Sequence, residues 1–143
     1  MTPIGIQGEV HFTLRSNGVE TLVFRSRNLI TNGGLNLVAS LLKDGTGSAV
    51  SEIGFGEGSS TPAGSNTALT NAYTKAVGSM YISGGELHVP FTLDRAEANG
   101  KTVRELGLFC GATLIARKKL TSAVAKTDAD ELSGEWVLGF VRV

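Results

Sequence analysis

Strict alternation of apolar and polar side chains is the feature that most constrains the fold of this chain. Between residues 87 and 93 every second position is Leu, Val or Phe, and residues 10–14 and 136–140 repeat the period. That period is typical of strands with one buried face. Turn sequences such as Ser83-Gly84-Gly85 separate the strands, so hairpins dominate. We predict a mainly β fold: an antiparallel β-sandwich of jelly-roll type with about eight strands and one short α-helix.

The single helical pattern covers residues 32–43. Thr31 or Asn32 can cap its first turn, and Gly45 supplies a stop. A helix of about three turns is marginal alone, so we expect its apolar face to lie on the sheet. The residues of that face, at positions i, i+3, i+4 and i+7, are Leu35, Val38, Ala39 and Leu42.

Length and charge exclude several classes of protein. The 143 residues favour one domain over residues 1–143. Thirteen basic and thirteen acidic residues cancel, which argues against a nucleic-acid partner. The one cysteine forms no internal disulfide, and no apolar run reaches the ~20 residues that span a bilayer. We expect no membrane partner, no secretory signal and synthesis in the cytosol.

Two long polar stretches predict the two longest loops, at about residues 56–68 and 121–134. The first is rich in Gly, Ser and Pro and has no period. Loops of that length in compact domains are usually functional or mobile. Between the two loops, Tyr73 to Ser83 is predicted to be one strand, and Val103–Cys110 and Thr113–Leu120 form a hairpin around Gly111-Ala112.

The first hairpin has two plausible registers. A two-residue Asn17-Gly18 loop pairs Arg15 with Glu20. A three-residue loop starting at Ser16 instead places residues 10, 12 and 14 opposite residues 24, 22 and 20. We prefer the second, because burying the large apolar set is worth several kcal/mol, whereas an exposed ion pair is worth less than about 1 kcal/mol.

The candidate reactive groups favour structural roles. His11 and His88 lie on polar strand faces without a third ligand at metal spacing, so we read them as surface residues. Cys110 follows Phe109 in an apolar strand and has no neighbour that would lower its pKa, which indicates a buried, inert thiol. We therefore predict no catalytic residue, no metal site, no cofactor and no enzyme activity.

Three charged or glycine-rich clusters also have simple readings. Residues 54–58, Gly-Phe-Gly-Glu-Gly, lack the Lys-Ser/Thr of a phosphate loop and favour a flexible turn. Asp128, Asp130 and Glu131 do not have calcium-loop spacing and favour a solvated acidic turn. Residues 117–119, Arg-Lys-Lys, favour a charged strand edge, and Arg117 could pair with Glu105 across the hairpin.

Three segments in order resemble small virion proteins of tailed bacteriophages, of the tail-fibre and baseplate-associated kind. The first is Arg27-Asn28-Leu29-Ile30-Thr31-Asn32-Gly33-Gly34-Leu35 with Leu41-Leu42. The second is residues 53–58, Ile-Gly-Phe-Gly-Glu-Gly, with Thr61-Pro62 and 66–69. The third is residues 103–109, Val-Arg-Glu-Leu-Gly-Leu-Phe, with 114–117 and 126–127.

The resemblance implies a virion structural protein, of the tail, baseplate or tail fibre, that assembles as a homo-oligomer and attaches to other virion proteins. A trimer or ring is implied, with a tail location favoured over the head. The alternatives are a capsid decoration protein and a module that binds a host surface receptor or carbohydrate. The candidate interface residues lie in the N-terminal segment, where an edge strand could pair with a neighbour, and in the two loops: Ile4, Ile6, Glu57, Ser59, Thr61, Pro62, Asn66, Lys126 and Asp128.

Overall fold

The computed structural model describes residues 4–142, and within them the chain forms nine strands and one helix. Every strand pair is antiparallel, so the prediction of a mainly β, antiparallel fold with one helix is confirmed. The elements are β1 (Ile4–Ser16), β2 (Val19–Ile30), α1 (Asn32–Asp44), β3 (Val50–Gly56), β4 (Tyr73–Ala76), β5 (Tyr81–Ser83), β6 (Glu86–Leu93), β7 (Thr102–Cys110), β8 (Thr113–Ala125) and β9 (Asp130–Arg142).

These elements divide into two compact units. The first unit takes in the chain up to Asn28, Val77–Asn99 and the residues from Thr127 onward. The second unit consists of Leu29–Ala76 and Gly100–Lys126. The expectation of a single domain over residues 1–143 stays a prediction.

The sheet of the first unit has the strand order β2-β1-β9-β6-β5. Its strands alternate as the sequence predicts, with one apolar and one polar face. Trp136 is fully buried on the apolar face, and its indole nitrogen donates to Asn28 Oδ1 at 3.0 Å. The other buried apolar residues of this unit are Val10, Phe12, Phe24, Val89, Phe91, Leu93, Ala98, Leu132 and Leu138.

The first hairpin adopts neither of the two predicted registers along its whole length. Its turn is the two-residue Asn17-Gly18 loop, with both residues at positive φ, and Arg15 pairs with Glu20. A register shift between Leu14 and Arg15 then places Phe12 opposite Phe24, where the rings stack 5.0 Å apart. The preferred three-residue loop is therefore wrong, but the bulge gathers the large apolar side chains on one face, as expected.

The second unit has the strand order β4-β3-β7-β8, and the last two residues of β2, Leu29 and Ile30, pair with β8. The β7–β8 hairpin forms around Gly111-Ala112, as predicted, with Gly111 at a φ of 59°. Cys110 at the end of β7 is buried, as predicted, and burial raises its thiol pKa to about 11. The main buried apolar residues are Ile53, Phe55, Val103, Leu106, Leu108, Leu114, Ile115, Ala116, Leu120 and Val124.

Helix α1 begins and ends where the sequence predicts. The Thr31 hydroxyl accepts from the Gly34 amide at 3.0 Å and donates to the Leu114 carbonyl of β8 at 2.6 Å. Gly45, at a φ of 77°, closes the helix with its amide bonded to the Leu41 carbonyl. Thr31 thus caps the helix and attaches it to the sheet at the same time.

The face of α1 that lies against the unit is rotated from the predicted one. Gly34 is the buried residue of the helix, and a Cβ there would lie 2.5 Å from the Ile115 carbonyl oxygen. This close approach turns Leu37 and Val38 inward, as half-buried side chains. Leu35 and Leu42 are exposed instead, by 48% and 82%. The residues around Leu37 and Val38 have helical spacing, as does the predicted set, and the close approach at Gly34 determines which set contacts β8.

Two other expectations differ from the structure. The single strand predicted over Tyr73–Ser83 is two short strands, β4 in the second unit and β5 in the first. The loop predicted at 121–134 is mostly strand, because β8 continues to Ala125 and β9 begins at Asp130. Only residues 126–129 connect the two strands. The ends of β8 and β9 contain many small and polar residues, so their sequence does not show the alternation that predicts a strand.

Candidate functional site

Glu105 of β7 and Arg117 of β8 form a buried ion pair in the second unit. Their side chains are 1% and 2% exposed, and Arg117 Nε donates to Glu105 Oε1 at 2.8 Å. The suggested cross-hairpin pair is therefore confirmed, whereas the reading of residues 117–119 as a charged edge is wrong for Arg117. Such a pair survives burial only when the remaining donors and acceptors are also satisfied.

The long loop after β3 supplies those remaining partners. The amides of Gly58 and Thr70 donate to Glu105 Oε2 at 2.7 and 2.9 Å. Arg117 donates to the Ser60 carbonyl at 3.0 Å and to Asn66 Oδ1 at 3.2 Å. The ion pair thus organises the loop from the inside, so residues 54–58 are strand and loop anchor rather than a flexible turn.

Glu57 fixes the same loop from its other side. One carboxylate oxygen accepts from the Thr102 amide at 2.8 Å, and the other accepts from the Asn71 side chain at 2.7 Å. These hydrogen bonds hold the pKa of Glu57 below its usual value. Both oxygens are engaged within the unit, which leaves Glu57 a structural residue of the loop.

The remaining candidate interface residues of the first loop are placed differently from one another. Ser59 and Thr61 are exposed and Pro62 is half-buried, so the tip of the loop is open to a partner. Asn66 is half-buried, and its Oδ1 accepts from Ala63 as well as from Arg117. A partner would therefore meet residues 59–62 before it met Asn66.

The short connection between β8 and β9 is more closed than its sequence suggests. Lys126 is 1% exposed and presents no side-chain surface to a partner. Asp130 is buried too, and its carboxylate accepts from Ser16 at 2.5 Å and from the Thr127 amide at 2.9 Å. The solvated acidic turn is thus wrong for Asp130, while Asp128 is exposed.

The N-terminal candidates lie in β1. Ile6 is half-buried and pairs with Phe140 of β9, and the backbone of Ile4 pairs with Arg142. The side chain of Ile4 and residues 1–3, which the edge-pairing hypothesis included, lie outside the described residues. One edge of this segment is therefore already occupied by its own chain.

Sequence reasoning missed a groove of about 240 Å³ on the polar face of the first unit's sheet. The strand register lines up its residues in rows: His11 lies opposite both Arg25 and Glu135, and His88 lies opposite Tyr81. The principal lining residues are Glu9, His11, Arg25, Arg27, His88 and Glu135. Alternation had placed each of them on a polar face, but only the pairing of distant strands brings them together.

Glu135 is the central hydrogen-bonding residue of the groove. His88 Nδ1 lies 2.6 Å from Glu135 Oε1, the Tyr81 hydroxyl donates to Oε2 at 2.8 Å, and His11 Nε2 lies 3.7 Å from Oε1. Burial alone would raise the pKa of Glu135, but the hydrogen bonds from His88 and Tyr81 outweigh it and lower the pKa below its usual value. The same bond raises the pKa of Tyr81.

Tyr81 does not itself line the groove, but it contacts two residues that do, His88 and Glu135. Its ring stacks on the His88 imidazole, with centroids 4.6 Å apart and planes 6° from parallel. Tyr81 is nevertheless 48% exposed. The imidazole covers one ring face, so the exposed area belongs to the remainder of the ring. His88, 16% exposed, is less of a surface residue than expected, whereas His11 is 41% exposed.

Two further kinds of feature, a metal-binding cluster and a membrane-spanning helix, are absent from the part of the chain described. No set of three or more His, Cys, Asp or Glu side chains within it could hold a metal ion. No helix within residues 4–142 is both long and apolar enough to span a bilayer. Comparison with models of protein families, with curated proteins and with solved structures gives no significant match.

Proposed function

We propose that the chain is a virion structural protein of a tailed bacteriophage, of the tail, baseplate or tail-fibre-associated kind, which acts by homo-oligomeric assembly. The resemblance of its three segments to such proteins supports the proposal. It makes the chain a subunit that attaches to other virion proteins and has no enzymatic role. We also keep the jelly-roll sandwich as the proposed form of its antiparallel fold.

The exposed leucine face of α1 is the observation that carries the assembly proposal. Leu35 and Leu42, two turns apart on one side of the helix, are 48% and 82% exposed. Large apolar side chains concentrated in this way are typical of protein–protein contacts. The helix has two charged residues, Lys43 and Asp44, both at its C-terminal end and of opposite sign. Two copies therefore meet without like-charge repulsion, which favours a second copy of this chain as the occupant.

The size of the apolar face bears on the type of assembly. Burying the two leucines of this face contributes roughly 1.5–3 kcal/mol for each side chain. Association costs roughly 4–15 kcal/mol in lost freedom, so a single contact of this size holds two copies weakly. A trimer or ring in which every copy makes two contacts is therefore favoured over an isolated dimer. The loop tip at 59–62, together with Asp128, remains available for other virion proteins.

Sedimentation velocity over a wide concentration range tests the assembly. We expect the wild-type chain to associate and Leu35→Lys/Leu42→Lys to remain monomeric with an unchanged circular dichroism spectrum. Ile82→Lys is the matched control, because Ile82 is 78% exposed on β5, an element of the first unit, whereas α1 belongs to the second. A monomeric wild type, or an effect of the control equal to that of the double variant, would overturn the helix interface.

Copy number in purified phage particles tests the location. Quantitative mass spectrometry should find a handful to a few dozen copies per particle if the chain belongs to the tail or baseplate. Hundreds of copies would favour the capsid decoration alternative instead. Absence of the chain from particles would remove the virion proposal altogether.

A further inference from the structure

We propose that the open edge of β2 binds an extended acidic segment of another protein, which adds a strand to the sheet of the first unit. The open edge is the side of residues 22–27 that faces away from β1. On that side, β2 pairs with β8 only at Leu29 and Ile30. The open edge belongs to the first unit and α1 to the second, so this inference does not rest on the helix interface.

The open edge has no backbone partner in the part of the chain described. No strand pairs with it, and no turn or loop hydrogen bond of the described backbone reaches residues 22–27. At the opposite side of the same sheet, β5 is only three residues long, which limits pairing there. A longer edge without a partner is a template for an added strand, because its N–H and C=O groups already lie in a row.

Strand geometry determines which residues direct their backbone groups to the open edge. The Thr31 amide donates to the Ile115 carbonyl of β8, so Thr31 points to that side of β2. The direction alternates along a strand, and the register of β2 with β1 is regular from residue 22 to residue 28. The residues that present both N–H and C=O at the open edge are therefore Val23, Arg25 and Arg27.

The side chains of these three residues favour an acidic partner. They share one face of β2, where Val23 is 64% exposed and the Arg25 side chain is 74% exposed. Arg25 Nε donates to Glu9, whereas no carboxylate of the described residues lies within ion-pair distance of Arg27. Directly opposite side chains in an antiparallel pair have Cβ atoms about 4.5–5.5 Å apart, so acidic residues opposite the two arginines can pair with both.

A second copy of this chain fits the open edge poorly. The antiparallel self-pairing that uses all three outward residues is centred on Arg25, and it places Arg25 opposite its own copy. A shift in one direction places Arg25 opposite Arg27. A shift in the other direction brings Arg27 to residues 20–22, where the hairpin register is irregular. Like charges directly opposite each other destabilise a ladder, so the edge fits an acidic segment better than it fits itself.

Two-dimensional NMR titration of the full chain tests strand addition. The probe is the end-blocked peptide Thr-Glu-Thr-Glu-Thr-Val-Thr, whose Glu, Glu and Val residues lie opposite Arg27, Arg25 and Val23 in the antiparallel register. We expect saturable shifts centred on the amides of these three residues, and weaker binding at higher salt. Two control peptides, one with Lys for both Glu and one N-methylated at the Glu and Val amides, should each bind about fivefold more weakly or worse.

Each outcome of the titration has one meaning. No saturable shift with the acidic peptide, or equal binding of its N-methylated form, would overturn strand addition. Equal binding of the lysine peptide would overturn the acidic preference. Shifts at the same amides that follow the protein concentration without any peptide would show a second copy at the edge, and would overturn the proposed partner.

Variants of two edge residues separate the backbone from the side chains. Val23→Pro removes an N–H that faces the open edge and not β1, so the fold should remain and peptide binding should be lost. Val23→Thr is the matched control, because it keeps the N–H, and it should bind within about twofold of the wild type. Undiminished binding by a folded Val23→Pro would overturn the proposal.

Charge reversal provides a test that does not depend on the proline variant. Arg27→Glu should weaken binding of the acidic peptide about fivefold and strengthen binding of the lysine peptide. An unchanged preference would show that Arg27 does not contact the added strand, against the proposal. The sedimentation behaviour of Arg27→Glu should match that of the wild type, so failure of this inference is distinguishable from failure of the helix interface.

Discussion

The two units place a carboxylate and its basic partner in opposite environments. Glu105 and Arg117 are 1% and 2% exposed and bind backbone groups of the loop on every remaining side. Glu135 and His88 are 19% and 16% exposed, and they line an open groove. A pair enclosed by its own chain holds the surrounding loop in place, whereas a pair at the groove stays partly open to solvent. The same type of contact should therefore contribute more to stability in the second unit than in the first.

Removing the buried carboxylate should have the largest effect. Glu105→Ala leaves Arg117 charged and without its anion in the interior, which costs about 3–5 kcal/mol in the free energy of unfolding. The loop amides of Gly58 and Thr70 lose their acceptor as well. Urea denaturation measures the difference, and Glu135→Ala is the comparison variant, which should lose much less stability. Similar losses in the two variants would remove the distinction between the units.

Replacing a glycine that lies beside Glu105 or beside the groove residue Glu86 should have an intermediate effect on stability. A Cβ at Gly56 would lie 2.5 Å from Glu105 Oε2, inside the enclosed cluster, so Gly56→Ala should cost about 1–3 kcal/mol. A Cβ at Gly139 would lie 3.6 Å from Glu86 Oε2, an ordinary contact at the open groove, so Gly139→Ala should change stability by less than about 0.5 kcal/mol. Thermal unfolding of the two variants compares them directly. An unchanged stability in Gly56→Ala would mean that the Glu105 side chain and the loop can shift at little cost.

The enclosed pair could be predicted from the sequence, and the groove could not. Glu105 and Arg117 belong to one hairpin with a short turn, so the turn position predicts that they lie near each other, and the register shift between Leu108 and Phe109 places both on the same face. His11, His88 and Glu135 come from three strands whose pairing joins distant parts of the chain. Periodicity assigns each of them a polar face, but it carries no information on which strands become neighbours.

The helix and the first hairpin show a second limit of periodicity. Two overlapping sets of apolar residues in α1 have helical spacing. The close contact between Gly34 and Ile115 turns the helix so that the set that was not predicted faces the sheet. In the hairpin, the register shift after Leu14 reconciles a two-residue turn with burial of the aromatic pair. Local patterns thus determine the element and its approximate bounds, whereas close packing and bulges determine its rotation and register.

The smallest expected effect concerns the pH dependence of the groove. The folded-state pKa of Glu135 is lowered by hydrogen bonds from His88 and Tyr81, so its contribution to stability is present above the unfolded value of 4.5 and is lost as the pH falls below it. Thermal unfolding between neutral and acidic pH should therefore show a shallower acid loss in Glu135→Gln than in the wild type. Tyr81→Phe, which removes one of the two hydrogen bonds, should fall between them. Identical acid slopes in the three proteins would mean that the groove carboxylate is held no more tightly in the folded chain than in the unfolded one.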